Sequence, residues 1–185
     1  MNKIKILAIV GSFRKDSYNK QLALLAKEMI GDRADFELLD YKDIPFMNED
    51  IEFPAPESVK RVRDAVKNAD GIWFFTPEYN HTYPGSLKNI IDWLSRPISE
   101  TEPQVLAGKP AAISGIGLGI AGTSIAQDFL VALISYLNMN VMNVPRVTIP
   151  SGWQLLNSEG KLEFNEMSKQ DLERQVNAFL SFIKA

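Results

Sequence analysis

The sequence predicts an α/β protein built on a doubly wound parallel sheet, and two observations carry that expectation. Short apolar runs alternate with amphipathic stretches along most of the 185 residues, the pattern left by strands joined through crossover helices. The first run, Ile4 to Val10, is also nearly all apolar, as a central parallel strand covered on both faces must be. The length is close to that of one domain, and no repeat, low-complexity run or linker divides the chain. A single domain over 1–185 is therefore expected.

After the first strand, Leu22, Leu25, Ala26 and Met29 recur at helical spacing and predict a helix from about Tyr18 to Ile30. Residues 36–39 read as the second strand. Residues 41–56 carry Pro45, Pro54 and Pro56 and read as a long loop, a length uncommon unless the loop is functional or packs on a partner. Val59, Val62, Val66 and Ala69 mark the second helix, 71–76 the third strand, and Leu87, Ile90, Ile91 and Leu94 the third helix. Strand four spans 110–114, a glycine-rich loop 115–122, and a fourth helix 123–137. The fifth strand is predicted over 141–147, at an edge because Pro145 cannot donate to a ladder. Ser168-x-x-Asp171 reads as a capping box opening the last helix, whose stripe is Leu172, Val176, Phe179 and Ile183.

Composition removes several functions. With 45% hydrophobic and 10% aromatic residues the chain has material for a core and is not disordered. Twenty Lys+Arg against 23 Asp+Glu leave a net charge of -3, without the dense positive face a nucleic-acid binder needs. Cysteine is absent and His81 is the single histidine, which excludes disulfides, iron–sulfur clusters, zinc ribbons and thiol nucleophiles; no metal site is expected. Redox chemistry on this chain must borrow its electron carrier. The apolar run Ile6 to Val10 near the N-terminus is too short for a signal-peptide core, and no small-residue cleavage site follows it. The most apolar window, 111–126, is interrupted by Ser114, four glycines and Thr123-Ser124, whereas a bilayer span needs about 20 apolar residues. A cytoplasmic protein with no membrane partner is expected.

In doubly wound sheets ligands bind beyond the carboxyl ends of the strands, where strand order reverses. Three loops occupy that edge. The first, 11–17, leaves the central strand and enters a helix, so its amides and the helix dipole converge on one spot. Ser12, Ser17 and Asn19 add neutral donors and Arg14 a forked charged one, a set suited to an oxyanion. It lacks both the G-x-x-x-x-G-K-[ST] pattern and, at this position, G-x-G-x-x-G. The latter pattern does occur as Gly117-x-Gly119-x-x-Gly122, but after strand four, and reads as backbone that approaches a flat ligand closely. The second loop, Pro77-Glu78-Tyr79-Asn80-His81-Thr82-Tyr83-Pro84-Gly85, is stiffened by prolines and rich in polar edges and aromatic faces. That combination suits an aromatic heterocycle. His81 reads as structural or ligand-facing, and Glu78 as a weak acid–base candidate whose main contribution is backbone.

Gly11-Ser12-x-Arg14-x-x-Ser17-x-Asn19, taken with Pro77-Glu78-Tyr79-Asn80-x-x-x-Pro84-Gly85-x-Leu87-Lys88-Asn89-x-Ile91-Asp92-Trp93, resembles the NADPH-dependent FMN reductase family. Within it the chain is most similar to quinone and chromate reductases and related azoreductases. The similarity is specific over 3–92, weaker to about 147, and general beyond. It implies a flavodoxin-like sheet of five strands in order 2-1-3-4-5 with helices on both faces, bound FMN, and NAD(P)H as donor. It further implies the FMN phosphate at Ser12, Arg14, Ser17 and Asn19. The ring would lie against Pro77, Glu78, Tyr79 and Asn80, flanked by Gly115, Gly117 and Gly119. Hydroxyl residues stand in that flanking loop in several relatives; this chain has Gly115 and Gly117. Tyr83, Trp93 and the long 41–56 loop suggest a homodimer or homotetramer, and the resemblance implies that residues 43–48 cover the flavin of a neighbouring protomer. The implied reaction is ping-pong transfer of hydride to FMN, then of electrons to a quinone, flavin, azo compound or chromate, with no obligatory side-chain acid or base. Two alternatives stay open: a flavodoxin-like carrier with no NAD(P)H-oxidising activity, against which a charge of only -3 speaks, and a flavin-free protein binding another phosphorylated ligand. The loops show no recognisable 2′-phosphate site, so NADPH and NADH both stay open as donors.

Overall fold

Ile4–Val10, apolar but for Lys5, forms β1 at the heart of a parallel sheet; the computed structural model describes residues 3–185. Met1 and Asn2, the start of the stretch weighed as a targeting signal, lie outside the described residues. β1 is flanked in parallel by β2 (Ala34–Leu38) and β3 (Gly71–Phe75). β4 (Pro110–Ile116) follows β3, giving the order 2-1-3-4-5 of a flavodoxin-like fold. Helices α1 (Tyr18–Ile30) and α5 (Glu166–Phe182) cover one face, where Leu22, Ala26, Trp73, Phe75 and Phe179 interlock. Helices α2 (Glu57–Lys67), α3 (Gly85–Leu94) and α4 (Ser124–Tyr136) cover the other, over Ile9, Phe74, Ile90 and Leu130. Both faces of β1 and β3 are thus dry, which explains their unbroken apolar runs. No helix among the described residues is long and apolar enough to cross a membrane.

Two expectations are corrected. The fifth strand predicted over 141–147 is two short strands, β5 (Asn140–Val141) and β6 (Val147–Ile149), both parallel to β4, so the sheet has six strands. Pro145, which has no N–H, sits in the gap and ends the ladder there. The Gln175 side chain of α5 bridges the break, donating to the Ile113 carbonyl at 2.8 Å and the Pro145 carbonyl at 3.0 Å. Its oxygen accepts from the buried Ser114 hydroxyl, which in turn accepts from the Trp73 indole. Helix α5 also begins before the expected capping box. Asn165 is the N-cap, accepting from the Ser168 amide at 2.9 Å, while Ser168 is buried in the first turn. Either residue can cap, and the earlier one adds a turn to the helix.

The long 41–56 loop is tied down by side chains from α2, α3 and the residues just after α3. Asn89 donates to the Pro45 carbonyl and accepts from the Met47 amide, and the Trp93 indole also donates to Pro45; Trp93 is fully buried inside the protomer against Ala55 and Val59, which corrects its reading as a sign of a subunit contact. Arg96 grips buried Glu52 through two hydrogen bonds of 2.8 and 2.9 Å, and Arg61 holds Asp43. At its start Tyr41 donates to the Val10 carbonyl at 2.7 Å; burial pushes its phenol well above the usual range. Phe46 and Phe53 are left 86% and 59% exposed on an otherwise anchored loop.

Candidate active site

Strand order reverses between β1 and β3, and the chain leaves the sheet there through the first loop. Ser17 is buried and caps α1, its hydroxyl accepting from the Lys20 amide. The next two helix amides, Tyr18 and Asn19, meet no protein acceptor among the described residues. They are the orphan donors that make a helix start attractive to anions. Arg14 stands 4.2 Å over the Tyr18 ring, a cation–π contact that aims its guanidinium without an ion pair. Asn19 is committed elsewhere. Its buried amide donates to the Ile116 carbonyl and accepts from the Ile116 amide, both at 3.0 Å, locking the start of α1 to the end of β4. Its side chain therefore braces the loop, and only its backbone amide faces the anion position.

The second loop is a tight two-residue hairpin. Tyr79 and Thr82 exchange backbone bonds of 2.8 and 3.1 Å around Asn80 and His81. Both tip residues have φ near +55° (52 and 60), the type I′ pattern, which asparagine tolerates well. The turn consumes the Tyr79 amide and leaves that of Glu78 without a protein acceptor. The Glu78 side chain has a job that sequence reading missed. It is 12% exposed and accepts from the Ala126 amide at 3.0 Å, capping α4, whose N-cap Thr123 makes no side-chain cap bond. His81 Nδ1 lies 3.5 Å from the other Glu78 oxygen. The bond to the Ala126 amide gives this carboxylate a structural role as the cap of α4. Glu78→Gln, which keeps an acceptor, is expected to leave turnover and its pH profile unchanged. Glu78→Ala should lower the melting free energy by about 1 kcal/mol; a lost acidic limb in the Gln variant's pH profile would restore the acid–base role.

The third loop corrects the reading of its glycines. A Cβ on Gly115 would strike the Thr76 carbonyl and the Thr123 side chain, and one on Gly117 would strike the Gly122 backbone. These two are glycine because protein backbone passes close by. Gly115 lies inside β4, off the cleft wall. Gly119 has open space around it and faces the cleft. The amides of residues 118–121 meet no protein acceptor among the described residues, a row of donors beside the apolar side chains of Leu118 and Ile120.

Together the three loops enclose a cleft of about 650 Å³ that runs from Ser12, Arg14 and Ser17 at one end to Pro77, Tyr79 and residues 116–122 at the other. Asn80, at the hairpin tip, is exposed and outside it. Sequence reading missed Tyr18, Leu118 and Ile120 as wall residues. The i, i+4 pairing of Arg14 with Tyr18 was the available signal for the first; nothing marked the other two.

Residues 4–154 match the family model described as NADPH-dependent FMN reductase. The chain belongs to the NADPH-dependent FMN reductase family. It is 36% identical to an NAD(P)H-dependent FMN reductase of Pseudomonas aeruginosa, covering 98% of this chain and 96% of that one. It is 33% identical to a 2-hydroxy-1,4-benzoquinone reductase of a Burkholderia species, over 98% and 97%. Among solved structures, FerB, a flavoenzyme NAD(P)H:(acceptor) oxidoreductase of Paracoccus denitrificans, superposes with a TM-score of 0.86 at 35% identity and 98% coverage of both chains. As a member of this family the chain is an FMN-dependent NAD(P)H oxidoreductase. The cleft fits that cofactor: it has orphan amides and an aimed arginine at one end, and apolar and aromatic walls with free amides at the other.

Proposed function

We propose that the chain holds FMN along the cleft and passes electrons from NAD(P)H to a small oxidised acceptor, a quinone-type compound foremost, by a ping-pong mechanism. When bound, FMN supplies the redox chemistry, accepting hydride from the donor and releasing two electrons to the acceptor. The protein's part is binding and orientation. Ser12, Ser17, Arg14 and the amides of Tyr18 and Asn19 take the phosphate. Pro77 and Tyr79 present flat cover, while the amides of Glu78 and residues 118–121 serve the polar rim of the ring. The observation that carries this reading is the meeting of an anion-accepting loop and an apolar, amide-lined cleft at the point of strand reversal. Free flavin, azo compounds and chromate are further acceptors for an open ring face.

The exposed Phe46 and Phe53 on a braced loop support an assembly of two or four copies, in which this loop covers a neighbour's cleft. Light scattering reads that directly, and a monomer contradicts it. The single unit over 1–185 works where reduced nicotinamides are made, in the cytoplasm. The deciding experiment mixes FMN-loaded protein with NADPH anaerobically in a stopped-flow instrument. Rapid bleaching, followed by recovery of colour on adding benzoquinone, is expected. Flavin that stays yellow identifies an electron carrier instead, and protein that takes up no FMN at all removes the flavin reading.

A further inference from the structure

Large apolar side chains stand in the open at the glycine-loop end of the cleft. Leu118 and Ile120, both on the cleft wall, are 50% and 92% exposed. Trp153 is 60% exposed, whereas Trp73 and Trp93 are fully buried. Backbone bonds hold the start of its short helix against the same loop: Ser151 donates to the Gly119 carbonyl and Gly152 to the Gly117 carbonyl, each at 2.9 Å. Ser151 is in the left-handed region, with φ 48° and ψ 39°, a strained backbone for serine of the kind that gathers at functional sites. The loop thus presents its side chains from a fixed base. Charge is one-sided too. Residues 116–122 carry no ionisable side chain, Arg14 lies at the opposite end of the cleft, and Glu78 adds a carboxylate to the wall. His81, the other basic group on that wall, lies 3.5 Å from Glu78.

Leu118 and Ile120 line the cleft rather than an outer face, so the occupant they fit is a molecule that enters it. Contact with an aliphatic side chain rewards an apolar body, and an indole adds a flat face. An anion gains nothing there, since it meets a carboxylate and no fixed cation. We propose that Leu118, Ile120 and Trp153 form an acceptor rim that selects neutral fused-ring or alkyl-substituted quinones over bare benzoquinone and over oxyanions such as chromate. The quinone takes up a hydride equivalent and a solvent proton and leaves as the quinol. The inference rests on the oxidoreductase reading above and adds which acceptors the site favours and which residues choose them.

The test measures kcat/KM for menadione, benzoquinone and chromate on the full chain loaded with FMN, with NADPH as donor. The three differ in oxidising power, so each variant is compared with the parent on the same acceptor. Ile120→Ser should lower the menadione value about tenfold, the worth of roughly two methylene contacts, and Trp153→Ala should lower it in the same direction. Benzoquinone and chromate should stay within about twofold in both. Ile120→Lys should raise the chromate value about threefold or more at low ionic strength, fading with added salt, while menadione falls. All three changes are at exposed positions, and flavin content and melting temperature check that the variants fold. Equal losses on all acceptors, or no change on menadione, overturn the proposal. So does a shift in light-scattering mass accompanied by equal losses, which assigns the rim to a contact between copies. A parent enzyme whose flavin is not bleached by NADPH sinks the oxidoreductase reading itself; one that bleaches normally but shows no change of acceptor preference in the variants sinks the rim alone.

Discussion

An Arg14→Ala protein is expected to fold normally and to lose most of its FMN on purification. Arg14 is exposed and makes no ion pair among the described residues, so little folding energy depends on it. Its cation–π contact with Tyr18 holds the guanidinium at the mouth of the anion loop. A net contribution of about 1.5–3 kcal/mol from a charge-assisted contact corresponds to a roughly 10–100-fold weaker Kd. For a micromolar binder, which draws on about 8 kcal/mol in all, that loss empties the site during chromatography. Arg14→Lys should recover only part of it, because an ammonium gives neither the forked contact nor the same stacking on Tyr18. The flavin-to-protein absorbance ratio and a fluorescence titration read the effect, with melting of the flavin-free proteins as the folding control. Full flavin content in Arg14→Ala would show that the phosphate lies elsewhere.

Gly117→Ala should do the opposite, damaging fold and cofactor together. The added methyl meets the carbonyl and Cα of Gly122, and a backbone neighbour cannot swing aside as a side chain does. The 117–122 loop must open, at a cost of about 1–3 kcal/mol as for other overpacked sites, and the row of free amides along it loses its aim. The flavin-free Gly119→Ala protein, whose methyl meets no atom within 4 Å, should melt like the parent. Thermal unfolding of the two variants side by side checks the pair; identical melting temperatures would mean that the loop is softer than its packing implies.

Most of the sheet was legible in the sequence because buried parallel strands must be apolar throughout. Residues 4–10 and 71–76 could hardly be anything else, and the structure forms β1 and β3 there. The edge was misread at 141–147, where the ladder depends on a proline's missing N–H and on a distant glutamine bridging the gap. The start of α5 was misread because Asn165 and Ser168 offer the same capping chemistry three residues apart. At the site, residue types pointed to an anion and a flat ligand, but not to which atoms are free. Asn19 and Glu78 look like ligand groups in a one-dimensional string. Their commitment to Ile116 and Ala126, 97 and 48 positions away, is a property of the folded chain. The same holds for Gly115 and Gly117, whose crowding comes from Thr76, Thr123 and Gly122.

The two hydrogen bonds between the Asn19 side chain and the Ile116 backbone tie the loop that starts α1 to the strand end from which the glycine loop departs. They make the cleft a caliper with jaws at a fixed gap. A ligand whose charged tail and flat head are separated by that gap engages both jaws with nothing left to reorganise. Riboflavin, with no charged tail, reaches only one jaw. FAD carries its first phosphate at the same distance from the ring as FMN does, so the gap separates phosphorylated flavins from riboflavin and does not by itself choose between FMN and FAD. On the proposed placement of FMN, preference for a phosphorylated flavin comes from the distance between charge and ring as much as from any single contact, and one asparagine sets the scale.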